Sequence, residues 1–302
     1  MAIRNVTLVG ANGNLGTVML DVLVASELFR VTVLKRSSSK SAPAHADKIR
    51  IVEMTDGFKV DELAELLKGE DAVIATFPLR DVGQHIRLAE GAAIAGVKRF
   101  IPADFGSCDS SDARARELVK LFERKVQVRD ALQRLAGEHE GFSWTSLVGG
   151  HFFDWGLREN FLHFNLPERK ADIIDDGDKK SSQSTLKRYG EATVQVFQRE
   201  DVTKNKMLFI QSFCVSQNEV LHSLEKATGV KWTVNHIDSE KFIKEQKTLA
   251  DAGDLQAIEE LVFTLGAIDG NWEEKGNFAM DLLGLQNEGL DEVVQSVVAA
   301  LS

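Results

Sequence analysis

The junction at residues 6–23 constrains this chain more than any other feature. An apolar, β-branched run, Val6–Val9, leads directly into Gly10-Ala11-Asn12-Gly13-Asn14-Leu15-Gly16, followed by Val18, Met19, Val22 and Leu23 at helical spacing. Strand, glycine turn and helix in that order open a βαβ unit. Three glycines so spaced let the backbone turn tightly, approach a pyrophosphate without a Cβ in the way, and pack the helix on the strand. The helix amino terminus adds free N–H groups and a partial positive charge. Gly10, Asn12, Gly13, Asn14, Leu15 and Gly16 are therefore the expected dinucleotide-binding turn. A tight turn in any α/β protein is the plainer alternative.

Five more short apolar runs follow, at Val31–Leu34, Ile49–Val52, Ala72–Ala75, Arg99–Pro102 and Ser143–Val148, with helical patterns between them. This alternation predicts an α/β fold: a Rossmann-like doubly wound parallel sheet with a smaller C-terminal α/β substrate lobe. The expected division is a dinucleotide-binding domain over 1–150 and a substrate-binding lobe over 151–302. The strand-like run Met207–Ile210 suggests that the last strand of the sheet returns near 207–213. Ser216 with Glu219 forms a capping box for a helix ending at Gly229. Residues 171–188, polar and charged, are expected to form an exposed, mobile connection.

The end of the second strand selects the dinucleotide. An acidic residue there would read a ribose 2′-hydroxyl, whereas arginine holds a 2′-phosphate. Here the residues are Lys35-Arg36-Ser37, and 35–50 holds five basic residues (Lys35, Arg36, Lys40, Lys48, Arg50) against Asp47 alone. Arg36, with Ser37, is expected to hold that phosphate through a planar, bidentate contact, which predicts NADP(H). A solvated basic loop is the alternative.

Composition removes other classes. The 302 residues carry a net charge of −10, which repels a nucleic-acid backbone. No stretch approaches the ~20 apolar residues of a membrane span, and the amino terminus lacks a signal-peptide pattern. Two cysteines, Cys108 and Cys214, lack framework or metal-ligand spacing, so a reducing, cytoplasmic setting is expected. The seven histidines show no ligand spacing either, and no metal site is expected. Monomer and homodimer fit equally.

Short-chain dehydrogenases ordinarily use a Tyr-x-x-x-Lys pair, but the only tyrosine is Tyr189, with Thr193 four residues on. Attention moves to Lys125, which falls in register with Leu118, Leu121, Phe122, Val128, Leu132 and Leu135. A lysine on a buried stripe is desolvated, which pulls its pKa towards neutrality and suits it to proton transfer. Equally, it could snorkel its ammonium to solvent. From His151 to Phe164 lie five aromatics: Phe152, Phe153, Trp155, Phe161 and Phe164. Such walls suit a flat apolar ligand, although core packing explains most single rings. His151, Phe152, Phe153 and Trp155 are the expected substrate contacts, with His151 a possible second acid.

Several of these segments, taken in order, resemble the atypical short-chain reductases of the NmrA-like and isoflavone reductase-like group, which includes phenylcoumaran benzylic ether and pinoresinol–lariciresinol reductases. They are the glycine turn, Arg36, Val73-Ile74-Ala75-Thr76 with Gln84, Val97-Lys98-Arg99-Phe100-Ile101-Pro102-Ala103-Asp104-Phe105-Gly106 and Phe122-Glu123-Arg124-Lys125-Val126-Gln127-Val128-Arg129. Ala103 and Asp104 depart conservatively from the Ser-Glu of the group. The resemblance implies that Lys125 is catalytic and contacts the nicotinamide ribose, that Thr76 and Phe77 lie beside the middle of the cofactor, and that 142–145 lead into the substrate loop. It implies an NADPH-dependent reductase delivering hydride to an aromatic, quinonoid or conjugated small molecule of secondary-metabolite type. A dinucleotide-sensing regulator that binds a protein partner without turnover remains open, as does isomerase chemistry.

Overall fold

A computed structural model describes residues 2–301. Its strands in chain order are β1 (Asn5–Val9), β2 (Arg30–Arg36), β3 (Arg50–Met54), β4 (Ala72–Ala75), β5 (Arg99–Ile101), β6 (Ser143–Val148), β7 (His151–Phe152), β8 (Phe164–Asn165), β9 (Lys170–Ile174), β10 (Lys180–Ser184), β11 (Lys206–Phe209), β12 (Phe213–Ser216) and β13 (Thr233–Ile237). Among the described residues no helix is long and apolar enough to cross a membrane.

Seven strands form one sheet in the order β11-β6-β5-β4-β1-β2-β3. The pairings β3–β2, β2–β1, β1–β4, β4–β5 and β5–β6 are all parallel. Every residue of β4 is buried, as is every residue of β1 after Asn5, the signature of strands covered on both faces. The order reverses between β1 and β4, and in open α/β sheets ligands bind outside the carboxyl ends of strands at such a reversal. Gly10 follows β1 there and Thr76 follows β4.

The chain forms two compact units. The first comprises residues up to Phe105, Leu121–Leu147 and Tyr189–Leu208; the second comprises Gly106–Lys120, Val148–Arg188 and the chain from Phe209 onward. The units interleave because the chain leaves the sheet after β5 and again after β6, returning each time to complete it. The second unit holds two three-stranded sheets, β12-β10-β7 and β13-β9-β8. Its helix Gln217–Thr228 starts on the reciprocal Ser216/Glu219 box and stops at Gly229, which has φ +70°.

Residues 171–188 are not a mobile connection. They form most of β9 and all of β10, and exposure is confined to the turn between them, the first residue of β10 (Lys180) and Lys187. Ser181, Ser182, Gln183, Ser184 and Thr185 are all buried. Burial is tolerated because the hydroxyls find partners: Ser182 Oγ donates to Gln211 Oε1 at 2.7 Å, Ser184 Oγ to the Gly149 carbonyl at 2.7 Å, and Thr185 Oγ1 to Glu288 Oε2 at 3.0 Å.

Two glycines of the first turn are demanded by the protein itself. Gly10 has φ +97°, and a Cβ there would stand 2.7 Å from the Phe77 backbone nitrogen. A Cβ at Gly16 would stand 2.0 Å from the Gly10 carbonyl oxygen, so the helix Asn14–Ala25 sits directly on the turn. Gly16→Ala is therefore expected to lower the unfolding free energy by about 1–3 kcal/mol, the usual cost of forcing atoms into a packed site. Urea titration would check this, and an unchanged midpoint would mean that the turn has room to relax.

Candidate functional site

The glycine turn, the basic loop and the segment after β4 come together in the first unit. Gly10 packs against Thr76 and Phe77, as its blocked Cβ position shows. The Thr76 hydroxyl donates to the Val9 carbonyl at 3.0 Å, tying β4 to the end of β1. Asn12 Nδ2 donates to the Ser41 carbonyl at 3.4 Å, linking the turn to the basic loop. Gly13 is the N-cap of the helix Asn14–Ala25 and gives it no side-chain cap, and the first turn carries no acidic residue. Asn12, Gly13 and Asn14 are exposed, while Leu15 and Gly16 are buried under the helix. This helix amino terminus therefore keeps donors and positive potential for an anion.

Arg36 and Ser37 lie exposed at the end of β2. The Ser37 amide donates to the Met54 carbonyl at 2.9 Å, which fixes the loop against β3. Lys35 is committed internally, to the Ser39 carbonyl at 3.2 Å and to Glu53 at 3.3 Å. The Arg36 guanidinium makes no side-chain hydrogen bond or ion pair among the described residues.

Phe77 is half-buried in an aromatic stack. It lies over His85 at 3.9 Å between centroids, inclined 19°, and against Phe58 at 5.3 Å. Burial pushes the His85 pKa down to about 4, so the ring is neutral at pH 7. Its Nε2 lies 3.4 Å from the Pro78 carbonyl, and its Nδ1 has no hydrogen-bond partner among the described residues. His85 also lines a narrow crevice with Leu79, Pro102, Ala103, Asp104 and Lys125.

Lys125 stands on the helix Lys120–Glu138 and is only 6% exposed, so its ammonium does not snorkel. Nor is it a lone desolvated charge. Its Nζ donates to the Asp104 carbonyl at 2.5 Å and lies 3.7 Å from Asp104 Oδ1. One helical turn further on, Arg129 Nη1 donates to Asp104 Oδ2 at 2.6 Å, and the Ser146 hydroxyl of β6 donates to the same oxygen. Burial alone would raise the Asp104 pKa, but the charges of Lys125 and Arg129, with the Ser146 and Arg129 hydrogen bonds, hold it below the ordinary carboxylate value. The picture of a lysine governed by desolvation alone is corrected accordingly: a buried carboxylate is set against two buried cations. Asp104, Arg129 and His85 were not identified as site residues from sequence. The signal for Arg129 was its i+4 spacing from Lys125 on the same stripe.

Tyr189 is fully buried, its ring edge-on to Phe105 at 5.6 Å, and offers no accessible phenol. The expected substrate residues lie in the second unit. Phe153 is fully buried against Phe213 at 4.7 Å, and Phe164 is buried beside Trp232, so both belong to the core. Phe152 is the half-buried N-cap of the helix Phe153–Arg158. His151 is 3% exposed and packed onto Gly266, where any Cβ would stand 2.3 Å from its Nε2. Burial pushes the His151 pKa down to about 4, so it is neutral at pH 7 and carries no acid proton there. Trp155 lines an open cavity.

The profile of the NmrA-like family matches residues 3–271. Oxidoreductase aprR of Aspergillus flavus is 33% identical over 301 residues, covering 97% of this chain and 98% of that protein. Among solved structures, the leucoanthocyanidin reductase–NADPH complex of Vitis vinifera aligns with a TM-score of 0.78 at 19% identity, covering 98% of this chain and 99% of that one. A structure of AtPrR2 with NADP+ and (+)pinoresinol aligns at 0.77 and 20% identity, with the same coverage of each. At such identities the structural likeness speaks for the fold.

Asp104→Asn keeps the side-chain shape but removes the charge that Lys125 and Arg129 face. Leaving two cations buried without it is expected to cost about 3–5 kcal/mol at pH 7. The Asp104 pKa is depressed on folding, so its contribution is full above the ordinary value of 3.8 and fades as pH falls through the folded value. Urea midpoints of the two proteins should thus lie far apart at neutral pH and approach one another in acid. Parallel pH profiles would show that Asp104 is not the titrating partner.

Proposed function

The chain belongs to the NmrA-like family, and from that premise we propose that it is an NADPH-dependent oxidoreductase in which the first unit binds the cofactor and Lys125 moves the proton. Reduced nicotinamide, when bound, supplies a hydride. The residues present fit such a cofactor. Gly13 has no internal need to lack a side chain, since a Cβ there would come no nearer than 3.6 Å to its neighbours. Its bareness serves a group approaching from outside, and the uncapped helix amino terminus beside it suits a pyrophosphate. Arg36, exposed and uncommitted, suits a 2′-phosphate.

The observation that carries the catalytic part is the placement of Lys125. Its ammonium is out of water, held by Asp104, in the crevice whose His85 wall backs Phe77. A lysine so held donates a proton from a fixed position. The adjoining carboxylate then favours its reprotonation, which completes a cycle without rearranging the site. Hydride and proton together reduce a conjugated acceptor, and an aromatic, quinonoid or enone-type small molecule is the substrate class we assign. Of the expected substrate residues, Phe152 and Trp155 keep part of their surface open, whereas the buried His151 and Phe153 act by shaping the second unit.

NADPH consumption against a panel of quinones and phenolic enones tests the reading. Lys125→Met should retain NADPH binding and lower kcat by about 10²- to 10⁴-fold, the range of general acid–base contributions. Undiminished turnover would remove the lysine from the chemistry. Stoichiometric NADPH binding without turnover of any acceptor, together with a stable protein partner, would favour a dinucleotide-sensing regulator instead. Gly13→Ala should weaken NADPH binding at least ~10-fold while leaving the urea midpoint nearly unchanged, because the added methyl meets the ligand and not the protein. Arg36→Ala should narrow the preference for NADPH over NADH, and equal affinity of the parent protein for both would overturn the 2′-phosphate assignment.

A further inference from the structure

The second unit contains an open cavity of about 620 Å³, within the range that receives small-molecule ligands. Its apolar walls are the rings of Trp155, Phe161 and Phe263, with Leu255 at the exposed side. Trp155 and Phe161 lie 5.6 Å apart, and Phe263 stands nearly perpendicular to Phe161 at 6.4 Å. Its charged lining is of one sign. Glu159, Asp172, Glu259 and Glu260 all face the cavity, and no lysine or arginine lines it.

His163 is the only basic group among these residues. Its ring lies flat on Phe263 at 4.2 Å, with Nε2 2.7 Å from Glu260 and Nδ1 3.8 Å from Asp172. Asp172 also accepts from Asn235 Nδ2 at 3.0 Å. Glu159 and Glu259 make no side-chain hydrogen bond or ion pair among the described residues, so their charge is uncompensated by the protein. A neutral flat ligand would satisfy the rings and ignore the carboxylates, and an anion would be repelled by them. A cation with an apolar body satisfies both, since the part-exposed rings of Trp155 and Phe161 attract cations through their quadrupole and the carboxylates attract them by charge, while Phe263 is stacked by His163 and His151.

We propose that this cavity binds a small organic cation, a protonated amine carried on an aromatic or aliphatic body. The inference gives the Trp155 cavity a ligand of its own, distinct from the neutral acceptor proposed for reduction. It needs neither cofactor nor turnover, so it stands or fails separately from the reductase reading.

The test uses three probes with one ring and different charge: benzylammonium, benzyl alcohol and benzoate, titrated into the full chain by calorimetry and followed by tryptophan fluorescence. Benzylammonium should bind at least ~10-fold more tightly than benzyl alcohol, with benzoate weaker still, and added salt should reduce the gap. Glu159→Gln with Glu259→Gln, both exposed and outside the core, should bring benzylammonium close to the alcohol. Trp155→Phe should abolish the fluorescence response. The proposal is overturned if the alcohol binds as well as the ammonium, if none of the probes binds, if the double variant leaves the charge preference intact, or if the fluorescence response survives Trp155→Phe.

Discussion

A single buried carboxylate organises the first unit. Asp104 leaves the end of β5 and meets Lys125 and Arg129 from the helix Lys120–Glu138 and Ser146 from β6. Moving these groups out of water is costly, and a well-packed apolar substitute would hold the same elements together at least as well. Stability alone therefore does not explain why the triad is charged. What the charges accomplish, and apolar residues could not, is to hold an ammonium at a defined place beside His85 and behind Phe77.

From that point the arrangement propagates through direct contacts. His85 supports Phe77, the Phe77 backbone crowds Gly10, and Gly10 receives the helix carrying the uncapped turn. Each contact is short-range and steric or electrostatic, so the Lys125 ammonium and the uncapped glycine turn are fixed relative to each other by packed atoms. The sheet order supplies the setting, since β1 and β4 flank the reversal and both segments leave from their carboxyl ends.

Much of the fold was legible because it rests on local signals. Continuous apolar runs mark β1, β2 and β4, and Ser216 with Glu219 marks the start of its helix. The failure at 171–188 is equally instructive. Lys-Lys-Ser-Ser-Gln-Ser reads as loop because hydropathy scores each hydroxyl as if it faced water. Those serines are buried against acceptors such as Gln211 and Gly149, which no local window contains. The site shows the same limit. The stripe put Lys125 in the buried register without deciding between burial and snorkelling, because the partner that decides it lies 21 residues earlier and arrives by tertiary folding. The rings of 151–164 could be counted but not oriented, and a single face separates core Phe153 from cavity-lining Trp155.

Charge shows why an average over the chain is a poor guide to ligands. A net charge of −10 opposes any polyphosphate at long range. Yet at physiological ionic strength charges more than about 8 Å apart are largely screened from each other. What a ligand meets is then local: an exposed Arg36 and a bare helix amino terminus in the first unit, and four carboxylates around aromatic faces in the second. Salt consequently acts in two directions on an anionic ligand, relieving repulsion from the whole molecule while weakening the arginine contact. Because the contact is close and the repulsion diffuse, screening removes the repulsion first, so charge selectivity resides in side chains that touch the ligand.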